Sequence, residues 1–362
     1  MQKEKAINYR VVVNARFLTQ RLSGVQRFAM ELALRLKEHY GNNIQFVSPH
    51  DITDDDGFKR LEALVIGERL GYMWEQIDLP RYLKTIGNPI LINLCNMAPI
   101  FYSNKIVALH DVAYKAYSRA YSPKMKIAYN VLVPQILKYS KHVITVSDFS
   151  KQEIQKYYNV AKEKITVIYN AVGSNFHYIK DKDLSSSNYL LTVSSIGENK
   201  NFITSLKVYA EASKRINDLK FYVIGNTLKE AKYTKYKDYA DNPNIYFLGS
   251  ISDNELIKFY SNALAFIYPS IYEGFGIPPL EAQSCGCPVI ASNSGPLPEI
   301  LSSSALIFDP SDVDSMTNAV VQLYEDMSFR RQTIEIGQTN PKRFSWEKSA
   351  ERMTDIIDRC LQ

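Results

Sequence analysis

Two kinds of stretch alternate along the chain: short runs rich in Val, Ile and Tyr, and longer segments whose apolar positions recur with a helical period. Tyr9-Arg10-Val11-Val12-Val13-Asn14 opens the series, and an amphipathic helix is expected over 25–39. Further strands are predicted at 44–48, 89–93, 105–109, 142–146 and 165–168, with helices over 123–139 and 150–158. Alternation of this kind builds parallel sheets, because two parallel neighbours need a long crossover and a helix supplies it. The pattern stops in the polar stretch 178–188, where Lys180-Asp181-Lys182-Asp183 and Ser185-Ser186-Ser187 read as a linker. It restarts at once, with strands at 189–193, 220–224, 244–248, 263–268, 288–291 and 305–308. The expected fold class is α/β, built from two Rossmann-like doubly wound parallel-sheet domains. A last helix, 345–361, starts at Ser345 as its N-cap.

Length agrees with that division: 362 residues suit two domains of about 180, each able to bury its own core. A hydrophobic content of 46% against 22% charged describes a soluble globular protein. No uninterrupted apolar run approaches the roughly 20 residues needed to span a bilayer, and no signal-peptide core follows Met1-Gln2-Lys3-Glu4-Lys5. A cytoplasmic protein is therefore expected. Cys95, Cys285, Cys287 and Cys360 lack zinc-ligand spacing and read as reduced structural thiols.

Charge changes the picture by its placement. Up to Lys182 there are 26 Lys and Arg against 16 Asp and Glu, and in the remainder 17 against 22. A basic first half points to an anionic partner on that side. Within 114–141, Lys115, Arg119, Lys124, Lys126, Lys138 and Lys141 interleave with Tyr114, Tyr117, Tyr121, Tyr129 and Tyr139. One reading is a helix region meeting an anionic membrane surface; the other is a solvated helix face with half-buried tyrosines. No nucleic-acid partner is expected, since no recognition helix or aromatic motif of known spacing accompanies the charge.

The densest chemistry lies in Pro269-Ser270-Ile271-Tyr272-Glu273-Gly274-Phe275-Gly276-Ile277-Pro278-Pro279-Leu280-Glu281-Ala282. Gly274 and Gly276 clear the way for close backbone approach to a ligand, and Pro278 and Pro279 fit a first helical turn. Backbone N–H groups at such a turn suit a diphosphate, and Glu273 and Glu281 can accept hydrogen bonds from vicinal hydroxyls. The competing reading is a carboxylate that merely favours a helix dipole. Lys200 follows Gly197 in a loop that opens a helix, where cation and N–H groups can meet the same diphosphate. Gly24 sits in the loop after the first strand, and His110 ends the strand 105–109 with Asp111 placed to orient it or to cap the next turn.

Taken together, these motifs resemble the E-x7-E family of retaining glycosyltransferases with the GT-B fold (glycosyltransferase family 4, group 1). Leu109-His110-Asp111, Val146-Ser147-Asp148-Phe149-Ser150, Ile168-Tyr169-Asn170, Ser195-Ile196-Gly197-Glu198-Asn199-Lys200-Asn201 and Phe344-Ser345-Trp346 carry the likeness over nearly the whole chain. The likeness implies two domains facing across a cleft: 1–180 binding the acceptor, 181–343 binding the donor, and 344–362 a helix packing back on the first domain. It gives Glu273 the donor hexose hydroxyls, Glu281 the ribose, Lys200 the diphosphate, and brings His110 close to the donor sugar. Gly24, Ser195, Gly274, Phe275, Gly276 and Ile277 belong to the donor site, and Gly249-Ser250-Ile251 holds the base through backbone groups. Many relatives carry an arginine where this chain has Ser194 or Ser195, and Arg16, Arg21 and Arg27 are candidates for the missing charge.

The implied reaction moves a hexosyl unit from a nucleoside diphosphate sugar to a glycan in polysaccharide or O-antigen synthesis, with retention. GDP-mannose is the donor indicated first, because the opening from Asn14-Ala15-Arg16-Phe17 to Gly24-Val25 is similar to that of mannosyl- and rhamnosyltransferases. A lipid-linked oligosaccharide is the implied acceptor. There is no cofactor, and no catalytic metal is expected, since no Asp-x-Asp stands in a suitable loop. A sugar-nucleotide epimerase on the same frame and a non-catalytic two-domain binding protein are the rival functions.

Overall fold

The computed structural model describes residues 10–117, 121–193, 197–225, 236, 239 and 241–362. The chain forms two compact units. One holds Tyr121–Asn170 and Ser345–Gln362 together with the chain up to Lys115; the other is chiefly Ala171–Phe344.

The first unit carries a seven-stranded sheet: β1 Val11–Asn14, β2 Ile44–Ser48, β3 Leu64–Val65, β4 Ile90–Asn93, β5 Lys105–Ala108, β6 His142–Thr145 and β7 Ile165–Val167. Its order is β3-β2-β1-β4-β5-β6-β7, all parallel. Helices cover both faces of such a sheet, which is why β1 and β4 are buried at every position and read as unbroken apolar runs rather than alternating ones. The helix Gly24–Tyr40 turns Phe28, Ala29, Leu32, Ala33 and Leu36 inward at three- and four-residue spacing. Within the same unit, Trp346–Leu361 packs against it. Phe28 meets Trp346 at 6.1 Å, Arg35 donates to both Glu31 and Glu347, and the Tyr40 hydroxyl donates to Asp358. Ser345 caps that last helix through the amide of Lys348.

The second unit carries six strands: β8 Tyr189–Val193, β9 Lys220–Ile224, β10 Ile245–Gly249, β11 Ala265–Tyr268, β12 Val289–Ser292 and β13 Leu306–Phe308. They run parallel in the order β10-β9-β8-β11-β12-β13. In each sheet the strand order reverses once, between β1 and β4 in the first and between β8 and β11 in the second. A crevice opens outside the carboxyl ends of the strands at such a switch, and ligands of open α/β sheets bind there.

The linker expected over 178–188 is instead tied down. The Ile179 amide donates to Ser261 Oγ and the Asp181 amide to Asn262 Oδ1, while Asp181 caps the short helix Lys182–Ser185. Its polarity reflects backbone groups satisfied by side chains at the end of the helix Asp253–Asn262, which composition cannot reveal. The helix predicted at 150 begins at Asp148, with Ser147 as its cap. Sequence reasoning passed over the segment 55–85, which holds the helices Asp55–Leu61, Gly71–Met73 and Leu79–Thr85, with β3 after the first and a π-helical turn Trp74–Asp78 before the last.

Candidate functional site

At the switch of the second sheet, the loops that leave β8 and β11 are stitched together. Asn199 presents its carbonyl to the amide of Ile271 at 2.8 Å and to the hydroxyl of Ser270 at 3.0 Å. Lys200, at the end of a 3-10 turn Glu198–Lys200, thereby faces Glu273. Lys200 Nζ donates to Glu273 Oε1 at 2.5 Å, and the hydroxyls of Tyr268 and Ser270 donate to the same oxygen, each at 2.7 Å. Three donors on one carboxylate oxygen make this a charge-assisted, pre-oriented acceptor. Oε2 is the carboxylate oxygen left for a further partner among the described residues. The pair is only partly covered, with 20% of the Lys200 side chain and 12% of that of Glu273 exposed, so a ligand can reach both.

Tyr268 lies beneath this pair, its ring 5.9 Å from Lys200 Nζ. Burial, and next the charge of Glu273, hold its phenol well above its ordinary pKa, so it remains a donor throughout the neutral range. Tyr268 and Ser270 were missed as site residues. Ser270 lies three residues before Glu273 on the same turn, and that proximity was the available signal.

Past Glu273 the chain reaches Gly276, whose φ of +93° is in the left-handed region, and the helix Ile277–Ser284 begins. A Cβ on Gly276 would lie 2.8 Å from Leu297 Cδ2, so both the conformation and the space call for glycine here. Because Pro278 and Pro279 have no N–H, only Gly276 and Ile277 of the four amides at the helix start can serve as backbone donors to a ligand. Phe275 turns its ring into the interior against Phe344, with centroids 5.5 Å apart. Glu281 is 7% exposed and accepts from the Tyr260 hydroxyl at 3.3 Å, one turn into the helix.

The remaining predicted residues fall as follows. Gly249 ends β10 with φ +71° and open space at its Cβ position, followed by Ser250 and Ile251 before Ser252 caps the next helix. Ser195, and Ser194 beside it, lie outside the described residues. On the first unit, Gly24 is the first residue of its helix, after the N-cap Ser23. His110 follows β5 and is 5% exposed, with Nε2 2.8 Å from the Leu94 carbonyl and the ring edge-on to Phe28. That bond assigns the proton to Nε2. Burial lowers the pKa to about 4, so His110 is neutral at pH 7 and acts as a polar neighbour rather than a cation. Asp111 caps the following turn by accepting from the amide of Ala113.

One expectation needs correcting. Arg16 is no spare cation for a diphosphate: its guanidinium lies 3.4 Å from Glu75 and under the ring of Tyr72, because the π-helical turn carries that carboxylate to the end of β1. In 114–141 the half-buried tyrosines of the second reading are present. Tyr114, Tyr121 and Tyr129 pack on the core of the first unit, and the exposed apolar side chains of the helix Pro123–Tyr139 are Met125, Ile127 and Val131, with Tyr139 at its end. Among the described residues, no group of three or more His, Cys, Asp or Glu is placed to hold a metal, and no helix is long and apolar enough to cross a membrane.

Comparison with known proteins gives the arrangement a family. The model of Glycosyltransferase Family 4 matches residues 22–175 and that of Glycosyl transferases group 1 matches 175–340. The O-antigen chain mannosyltransferase RfbU of Salmonella typhimurium is 33% identical over 277 residues, 75% of this chain and 74% of its own length. O-antigen chain mannosyltransferase B of Escherichia coli is 29% identical over 264 residues, 67% of each chain. Among solved structures, Anabaena Alr3699/HepE in complex with UDP aligns with a TM-score of 0.76 at 15% identity, covering 96% of this chain and 99% of that one. WaaG, a glycosyltransferase involved in lipopolysaccharide biosynthesis, aligns at 0.72 with 14% identity and the same coverage. The fold is GT-B, and the choice among transferase, epimerase and binding protein falls to the first. A Lys–Glu pair at the switch of one Rossmann-like sheet, in a chain matched from 22 to 340 by two glycosyltransferase models, makes this protein a member of glycosyltransferase family 4.

Proposed function

We propose that this glycosyltransferase moves a mannosyl unit from GDP-mannose to a lipid-linked glycan, with retention of anomeric configuration, in O-antigen or related polysaccharide assembly. The Lys200–Glu273 pair carries the reading, since it sets a cation for a departing diphosphate beside a carboxylate for sugar hydroxyls. Two relatives named O-antigen chain mannosyltransferases support the choice of sugar. Residues 1–180 serve the acceptor, 181–343 the donor, and 344–362 belong with the acceptor part. Donor binding draws Lys200 from Glu273 to the diphosphate and frees Glu273 for the hexose. Glu281 takes the ribose, Gly249 to Ile251 the base, and Gly274, Gly276 and Ile277 the phosphate approach. The leaving phosphate accepts the proton of the incoming hydroxyl, so no protein nucleophile or divalent cation is called on. Catalysis then comes from position and from stabilising charge on the leaving group.

Thermal unfolding with GDP, UDP and dTDP checks the donor. A nucleotide at 100 times its Kd stabilises by about 2.7 kcal/mol. GDP alone is expected to raise Tm, and Lys200→Ala and Glu281→Ala to abolish the rise. No shift with any nucleotide at millimolar concentration would sink the donor site.

The enzyme works in the cytoplasm, peripheral at the inner face of the membrane. Ile127 and Val131, one turn apart and 67% and 61% exposed, accompany Lys124, Lys126 and Lys138 on one helix and support this placement. Co-sedimentation with vesicles containing phosphatidylglycerol is expected to fall at least severalfold in Ile127→Asp; equal sedimentation of both proteins would remove the membrane from the account.

A further inference from the structure

The switch crevice of the first sheet carries a second cation–carboxylate pair, of which sequence reasoning named only the cation, as a candidate for the diphosphate. Asn14 ends β1 and Asn93 ends β4, the two strands between which the order reverses. Asn14 Nδ2 donates to Glu75 Oε1 at 2.7 Å and to Asn93 Oδ1 at 3.1 Å, and Asn14 Oδ1 accepts the amide of Arg16. Glu75 reaches this place on the π-helical turn, a geometry found disproportionately at functional sites. The turn is clamped on both sides of it. Trp74, fully buried, donates its indole N–H to the Ile66 carbonyl at 2.7 Å, and Asp78 accepts from the amides of Glu68 and Arg69 and pairs with the Arg69 guanidinium at 2.6 Å.

The pair itself is under-used. Arg16 Nη2 stands 3.4 Å from Glu75 Oε2, longer than the 2.7–2.9 Å of a good charge-assisted bond. Arg16 Nε and Glu75 Oε2 are both buried with no hydrogen-bond partner among the described residues. Arg16 is 9% exposed and Glu75 1%. Stability does not call for such a pair, since well-packed apolar residues in place of a buried ion pair are often neutral or stabilising. An adjacent donor and acceptor with balanced charge suit a neutral diol: one hydroxyl accepts from Nε–H, the other donates to Oε2. An anion would find its cation already compensated. Tyr72 lies over the guanidinium at 4.9 Å while remaining 49% exposed, so the pair has an aromatic face open to solvent beside it.

We propose that Arg16 and Glu75, with Asn14 and Asn93 holding them and Tyr72 as the flanking ring, form a sugar site on the first unit that takes adjacent hydroxyls of the acceptor glycan. The proposal rests on the transferase reading above and assigns the acceptor its recognising residues.

Saturation-transfer NMR with methyl α-glycosides of mannose, rhamnose, galactose and glucose tests it. At least one glycoside is expected to receive magnetisation from the wild-type chain and from Lys200→Ala, and to lose at least four-fifths of that signal in Glu75→Gln. Arg16→Met/Glu75→Leu removes both charges together, guards against misfolding from an unpaired charge, and should lose the signal as well. Nucleotide-dependent thermal shifts, measured on Glu75→Gln and on Arg16→Met/Glu75→Leu, should match the wild type. No signal with any of the four glycosides, a signal unchanged in both variants, or a signal lost in Lys200→Ala would overturn the proposal. Absent nucleotide shifts with the glycoside signal intact would count against the donor reading instead, and leave this sugar site standing.

Discussion

Replacing Lys200 by alanine is expected to lower kcat by about 10²–10³, the effect of removing one preorganised stabiliser of developing negative charge. In the proposed reaction the bond to the diphosphate breaks as charge builds on the leaving oxygens, and Lys200, held beside Glu273 on the β8 side of the switch, is the cation assigned to meet it. Glu273→Ala removes the carboxylate proposed to hold the sugar and leaves Lys200, Tyr268 and Ser270 without their common acceptor. Its loss should be of similar size. Because the two residues share one contact, the double variant should fall short of the sum of the single effects by 0.5–3 kcal/mol, the range for coupled neighbours. Nucleoside diphosphate release at saturating GDP-mannose is the assay. Activity within threefold of wild type in both single variants would remove this pair from the mechanism.

Folding stability is expected to fall as pH drops from about 6.5 to 4. His110 has an ordinary pKa near 6.5 when unfolded and about 4 in the folded chain, because burial disfavours its cation. Below pH 6.5 the unfolded chain binds a proton that the folded chain refuses, so unfolding is favoured progressively. The loss is complete near pH 4 and amounts to about 3 kcal/mol for this one group. Above pH 6.5 both states are neutral there and no effect remains. His142 shifts the same way to about 4, through burial first and then the positive charges of Arg359, Lys151 and Lys164. Carboxylates held low, such as Glu347 brought from 4.5 to about 2 beside Arg35, add a loss that begins only at the acid end of this window. Urea midpoints at pH 7.5, 6 and 5 measure the slope, which His110→Gln should flatten. Equal slopes in the two proteins would show that His110 is not the group responsible.

The switch crevices explain which site residues could be read from the chain. Glu273, Gly274, Gly276 and Glu281 are near one another in sequence, so a turn and one helical start bring them together whatever the rest of the chain does. Lys200 was legible for the same reason, as a cation placed after Gly197 at a helix opening. Its contact with Glu273 was not, because 73 residues separate them and only the adjacency of β8 and β11 closes that distance. Phe275 shows a side chain whose direction the motif does not fix. It sits within the motif, yet its ring belongs to the interior against Phe344.

Arg16 and Glu75 lay furthest from view. Nothing in a basic residue after one strand and an acid in a weakly patterned segment 59 positions later announces a pair. The π-helical turn, the indole of Trp74 and the carboxylate of Asp78 had to form first. The polar stretch around Asp181 was misread as a linker because its partners, Ser261 and Asn262, are some 80 residues away.

Strand–helix alternation, the two-unit plan and the family of this protein were thus determined by the sequence alone, since they rest on local periodicity and on motifs short enough to act within one turn. Tertiary structure alone decided which charges meet. Strand order brings distant loops to one crevice, and burial there makes an unpaired charge too costly to leave, so Lys200 closes on Glu273 and Arg16 on Glu75.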